Sequence, residues 1–342
     1  MRIIAEAPCR VDLAGGTLDI WPLYVFHPGS VTVNFAINLY ARCTLEQLDD
    51  RRVVLQSVDL GVEESFPSLD AMRGKRRTRL PLHEHLLRFF SPGRGLRVET
   101  DCQAPAGAGL AGSSTLIIAL ARALARFTGA NYAKERLREI AQNIEAQVIR
   151  VPTGCQDYYP ALYGGVNAIE LGVDAIRRTP IPVDAEELNE RLVLAYTGEP
   201  RQSGINNWEV MKAHIDGDVR VHRNFGQIAS IARAMRAALE KADWTEAGRL
   251  LREEWAHRRQ NAPGIATPLI DSLVAGTRRA GAIGAKVCGA GGGGCVVFLV
   301  ERGAKARVAA VAESLGAAVL PVRVEPQGAR VRVATNERRH AR

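Results

Sequence analysis

One segment restricts the folds open to this chain more than any other. Residues 103–114 read Gln-Ala-Pro-Ala-Gly-Ala-Gly-Leu-Ala-Gly-Ser-Ser and stand between a strand-like run, Leu96 to Cys102, and a helical run that reaches Phe127. In the helical run Leu116, Ile117, Leu120, Ala123, Leu124 and Phe127 form a buried stripe, and Gly129 closes it. A strand that ends in glycines and gives way to a long helix lets a backbone approach a ligand closely, and the free N–H groups at the helix start favour an anion. Ser113 and Ser114 add hydroxyls suited to a phosphate oxygen or to Mg²⁺. The competing reading is a tight turn in which a serine caps a core helix.

Gly107, Gly109 and Gly112 formally fit two known phosphate loops, and each can be tested against its own chemistry. A dinucleotide loop needs an acidic residue about 20 residues on, at the end of a second strand; here that stretch, Tyr132 to Glu145, reads as helix. A Walker loop needs a lysine after the last glycine, where this chain has Ser113. Protein-kinase signatures do not occur elsewhere in the chain. What remains is the physics that these loops share.

With 342 residues and 46% hydrophobic content, the chain is long enough for a sizeable core and two domains. The text changes around 180–190, which places a boundary near residue 185 and divides the chain into 1–185 and 186–342. No apolar run is long enough to cross a bilayer, and Met1-Arg2-Ile3-Ile4-Ala5-Glu6 lacks a signal-peptide pattern. The six cysteines show no paired short spacing and fit idle thiols in a reducing, cytoplasmic setting. His83-Glu84-His85 is a poor metal motif, because residues two apart on a helix do not share a face. The net charge of +8 suits an enzyme of anionic metabolites as well as a nucleic-acid binder. No aromatics interleave the basic residues as in single-strand binders, so nucleic acid is not expected. The runs Arg73, Lys75, Arg76, Arg77, Arg79 and Arg338-Arg339 read as solvated surface.

Three further features carry chemistry. Asp157, in Gly154-Cys155-Gln156-Asp157, is either a catalytic base or the cap of a short helix. Glu145 sits in the last turn of a helix, where the dipole disfavours negative charge, so it either meets a cation or is exposed beside Arg138 or Arg150. The cluster Lys286 to Gly294 is either a linker or a backbone that approaches a ligand or another loop. Along the strand Cys9 to Leu13, Arg10 and Asp12 share one face.

Ala7-Pro8-Cys9-Arg10-Val11-Asp12-Leu13-Ala14-Gly15-Gly16-Thr17-Leu18-Asp19, the loop 105–114 and Lys286 to Gly294 resemble, in order and spacing, the three motifs of the GHMP kinases. Within that superfamily Gly154-Cys155-Gln156-Asp157-Tyr158, Tyr163-Gly164-Gly165-Val166-Asn167 and Tyr196-Thr197-Gly198 are similar to D-glycero-D-manno-heptose 7-phosphate kinase, and Val31 to Ile37 to L-fucokinase. The resemblance implies an α+β fold of two domains, an N-terminal α/β sandwich and a ferredoxin-like C-terminal domain, with the site between them. It implies a kinase that uses ATP and Mg²⁺ to phosphorylate a small sugar, as a monomer or homodimer, the rivals being a kinase of a non-sugar alcohol such as mevalonate or a non-catalytic sugar sensor. It places Asp157 and Arg10 in catalysis and Thr17, Asp19, Gly154 and Thr197 at the substrate. Pro105, Gly107, Gly109, Leu110, Gly112, Ser113 and Ser114 fall at the nucleotide, Ser113 and Glu145 at the metal. Ala111 stands where the family usually has glycine, and Cys155 and Tyr158 where the heptose kinase usually has Lys and Gln.

Overall fold

The computed structural model describes residues 1–74, 78–199 and 203–334, with the backbone alone at 203–206. Lys75, Arg76, Arg77, Arg338 and Arg339 of the two basic runs lie outside the described residues.

Strand β1 (Arg2–Ala14) is longer than its alternation at Cys9 to Leu13 predicts, and it serves two cores. Ile3, Ala5 and Ala7 pack with the helices of the first half, whereas Cys9, Val11 and Leu13 join a core shared with the second half. The change falls at a register shift between Pro8 and Cys9 in the pairing with β2 (Val31–Gln47), where a bulge re-aims the strand. Strands β3 (Val53–Ser57), β4 (Val62–Phe66) and β5 (Leu96–Cys102) extend the sheet in the order β1-β2-β5-β3-β4, while β6 (Val166–Leu171) pairs with β2 and β7 (Ile176–Pro180) with β6. Helices α1 (Leu69–Gly74), α2 (Pro81–Phe90), α3 (Gly112–Thr128), α4 (Lys134–Ile149) and α5 (Tyr158–Tyr163) complete this half. Leu86, Ile117, Leu120, Leu137 and Tyr158 bury their apolar faces against β1, β2 and β5.

The second half begins with α6 (Ala185–Glu190) and β8 (Leu192–Tyr196), continues through α7 (Ser203–Ile215), α8 (Val219–Glu240), α9 (Trp244–Arg258) and α10 (Pro268–Arg278), and then runs β9 (Ala282–Val287), β10 (Cys295–Val300), α11 (Lys305–Ser314) and β11 (Ala318–Leu320). The antiparallel order β11-β8-β10-β9 is the strand arrangement of a ferredoxin-like unit. The chain end departs from the expected division. Strand β12 (Arg330–Ala334) leaves the second unit and pairs with β1 from Arg2↔Ala334 to Glu6↔Arg330. Without it β1 would expose a row of unpaired backbone groups at the sheet edge.

Candidate active site

The glycine loop 103–111 connects β5 to α3. Gly107 and Gly109 take φ of 71° and 80°, and Ala111, the residue before the helix, takes φ 62°. No side chain caps this helix start; Ser113 and Ser114 lie inside its first turn, so the serine-cap reading does not hold. The first backbone bond into the helix runs from the Thr115 N–H to the Ala111 carbonyl, 2.9 Å. The amides of Gly112, Ser113 and Ser114 therefore face out of the helix end, where the dipole is positive. The loop lines a cleft of about 390 Å³ that includes Pro105, Gly107, Gly109, Leu110, Gly112, Ser113, Ser114, Glu145 and Asp157.

At the floor of this cleft Glu145 is buried, contrary to its exposed reading. It accepts hydrogen bonds from Ser114 Oγ at 2.8 Å and from the Tyr158 hydroxyl at 2.5 Å. Burial pushes its carboxyl above the usual carboxylate range; hydrogen bonds from Tyr158, Ser114 and Ser113 oppose the shift and the charge of Asp157 adds to it. A buried acid supported only by hydroxyls, next to a second carboxylate, fits a hard divalent cation. Ser114 bonds Glu145 directly, while Ser113 is the serine exposed at the cleft.

A smaller, polar cavity of about 60 Å³ adjoins the first and is lined by Arg10, Gly16, Thr17, Asp19, Gly154, Gln156, Asp157 and Arg258, among others. Arg10 projects from β1 and is buried. Its Nε and Nη2 both contact Asp157 Oδ1, at 2.8 and 2.7 Å, so Oδ2 is the oxygen that Arg10 leaves unengaged. Arg10 Nη1 donates to the Gly109 carbonyl at 2.6 Å and stands 3.7 Å from Asp12 Oδ1. Burial would lower the guanidinium's pKa, but Asp157 and Asp12 outweigh it and hold the group firmly charged. One arginine thus ties the glycine loop to Asp157.

Asp19 accepts the Gln156 N–H at 2.8 Å. Burial, then the charge of Asp157, pushes its carboxyl up to about 6. Gly154 has no room for a side chain, because a Cβ there would overlap the Asp19 carboxylate. Thr17 takes φ 73°, a rare conformation for a β-branched residue, and accepts a hydrogen bond from Arg258 Nη1 at 3.2 Å. Thr197, expected at the substrate, is placed differently: its hydroxyl and its N–H donate to the Gly294 carbonyl at 2.9 and 3.0 Å, and it does not line the polar cavity.

Sequence reasoning passed over three residues. Glu254 and Arg258 of α9 form a buried ion pair, with 2.8 Å between Arg258 Nε and Glu254 Oε1. Arg258 also donates to the Gly16 carbonyl at 2.8 Å. Glu254 stands 3.7 Å from Lys286, which pairs with Asp12. All four charges are buried, and the network joins β1, α9 and β9. Burial would raise the Asp12 carboxyl, but Lys286, Arg10 and Arg258 hold it well below the usual carboxylate range. A signal existed: Glu254 and Arg258 fall on the same helix stripe as Ala247, Leu250, Leu251 and Trp255. The third, Asn207 of α7, lines both clefts. The doublet His83 and Glu84 is spoken for, His83 by Thr100 at 2.8 Å and Glu84 by Arg88 at 2.5 Å.

A cleft with open amides beside a polar cavity, with a carboxylate at their junction, suits group transfer from a phosphate compound. The family models for the GHMP kinases N terminal domain and the GHMP kinases C terminal domain match residues 79–165 and 235–318. The chain belongs to the GHMP kinases, phosphotransferases that use ATP and act on hydroxyl groups. It is 26% identical to D-glycero-alpha-D-manno-heptose 7-phosphate kinase of Campylobacter jejuni, over 87% of this chain and 89% of that one. It is 25% identical to L-fucokinase/L-fucose-1-P guanylyltransferase of Bacteroides fragilis, over 89% of this chain but only 35% of that longer protein. The structure of a D-glycero-D-manno-heptose 1-phosphate kinase from Bacteroides thetaiotaomicron superposes with a TM-score of 0.78 and 25% identity, covering 97% of this chain and 99% of that one. No described helix is long and apolar enough to cross a membrane.

Proposed function

We propose that this protein is a cytoplasmic sugar kinase that transfers the terminal phosphate of ATP to a hydroxyl of a sugar, the anomeric one, giving a sugar 1-phosphate. One observation carries the reading: Asp157, oriented by Arg10, lines both the loop cleft and the polar cavity. The lining of the polar cavity by Arg10, Asp19, Gln156 and Arg258 suits a polyhydroxylated substrate, and the relatives named for heptose phosphate and fucose support a sugar over mevalonate.

In this reading the triphosphate lies along Gly107 to Ser114, its oxygens on the amides at the start of α3. Glu145, with Ser113 or Ser114, would hold Mg²⁺, which supplies neutralisation of phosphate charge when bound. Asp19 and Thr17 hold substrate hydroxyls, and the close approach of Gly154 to Asp19 shapes that wall. Oδ2 of Asp157 accepts the proton of the attacking hydroxyl while Arg10 keeps Oδ1 and offsets charge that develops nearby. Catalysis of this kind is mostly positioning and electrostatics.

Asp157→Asn is expected to lower turnover about 10²-fold or more with nucleotide affinity little changed. Near-normal turnover in that variant removes Asp157 from the mechanism. An ADP-release screen over free sugars, sugar phosphates, uronic acids and mevalonate, with the phosphorus position of the product read by NMR, tests the substrate class. Turnover with mevalonate alone would overturn the sugar assignment.

A further inference from the structure

Three of the chain's 7 histidines meet outside the lining of the two clefts. His27 directly follows the 3-10 turn Leu23–Phe26, His214 lies in the last turn of α7, and His222 in the first turn of α8. The Nε2 atoms of His27 and His214 are 2.8 Å apart, and one ring nitrogen from each of the three lies within 4.8 Å of the other two. The ring centroids are 5.1, 4.8 and 4.9 Å apart pairwise. His27 and His214 are buried and His222 is exposed. His214 Nδ1 is buried without a hydrogen-bond partner. The sequence scatters these residues over nearly 200 positions, and none belongs to the three family motifs.

We propose that His27, His214 and His222 form a binding site for a divalent cation of borderline softness, Zn²⁺ foremost, which clamps the end of α7 to the body of the protein. Imidazole nitrogens suit Zn²⁺, Cu²⁺ or Ni²⁺ and are poor ligands for Mg²⁺, so the site is chemically distinct from the oxygen donors at Glu145. Two nitrogens bound to one tetrahedral Zn²⁺ stand about 3.3 Å apart. The spacing here, from 2.8 Å to within 4.8 Å, brackets that value, so small side-chain rotations close the set. Phe26 and Phe225 flank the pair from the apolar side, and the exposed His222 supplies the entry path and leaves the fourth position to water. The site matters to the clefts through α7, which carries Asn207 on the boundary of both.

The test uses the full chain without a histidine tag, stripped of metal and titrated with Zn²⁺ against a chromophoric chelator in excess Mg²⁺. One Zn²⁺ per chain is expected, with a zinc-dependent rise in melting temperature. His222→Ala, at an exposed position, should keep the zinc-free melting temperature and weaken binding at least about 100-fold. His214→Gln should weaken it likewise. Absence of stoichiometric binding in the wild type, or undiminished binding in both variants, overturns the site and leaves a hydrogen-bonded aromatic cluster in its place.

Discussion

Two glycine clusters, 107–112 and 289–294, come together in this molecule and use their backbones differently. The second spends its amides on neighbouring loops: Gly292 donates to the Ile265 carbonyl and Gly294 to the Glu199 carbonyl, each at 2.9 Å, and Cys295 donates to Ala108 at 2.8 Å. Gly289 donates to Asp12 Oδ1 at 3.0 Å. The first cluster is the one being held, through Ala108 and through Arg10 on the Gly109 carbonyl, while the helix start beside it keeps its amides open to the cleft. High glycine content says that something must come close to the backbone. Whether that is a ligand or another loop depends on what lies opposite.

The contrast between an open loop and its brace can be broken at three points. The largest effect is expected from Lys286→Ala, which removes the cation that pairs directly with Asp12 and leaves this buried carboxylate to the more distant Arg10 and the Gly289 N–H. It should cost about 3–5 kcal/mol in urea unfolding, and a loss below about 1 kcal/mol would mean that the brace does not hang on this pair. Gly294→Ala comes next. Its φ is +81°, and a Cβ would stand 2.7 Å from the Ala108 carbonyl oxygen. A loss of about 1–3 kcal/mol is expected, together with a raised KM for ATP because Ala108 belongs to the open loop. Unchanged stability and KM would detach the two clusters. Ala111→Gly should act in the other direction and least. Relief of a left-handed alanine should stabilise the chain by up to about 1 kcal/mol, read as a small rise in melting temperature; a fall would show that the buried methyl outweighs the backbone strain.

The comparison also marks how far the sequence could be read. The stripe from Leu116 to Phe127 and the stop at Gly129 stand as α3, with Gly129 at φ 77° just past its end. The shared face of Arg10 and Asp12 is visible as the alternation of one strand, and both are buried there. Helix α7 left little trace, because Trp208, Val210 and Met211 do not make a clear stripe, so Asn207 went unnoticed. Thr17 gave no warning of its positive φ, since only its surroundings impose it.

Local pattern by itself determined most of the strands, the helices with a clear apolar stripe, the positions of the two glycine clusters and the identity of the three motifs, because periodicity and backbone freedom act within a few residues. Tertiary structure alone decided which charges meet. The pairing of Arg10 with Asp157, of Asp12 with Lys286 and of Arg258 with the Thr17 turn joins residues 147, 274 and 241 positions apart. Such pairs answer to the cost of burying a charge without a partner, and that cost exists only once the two halves of the chain have closed around it.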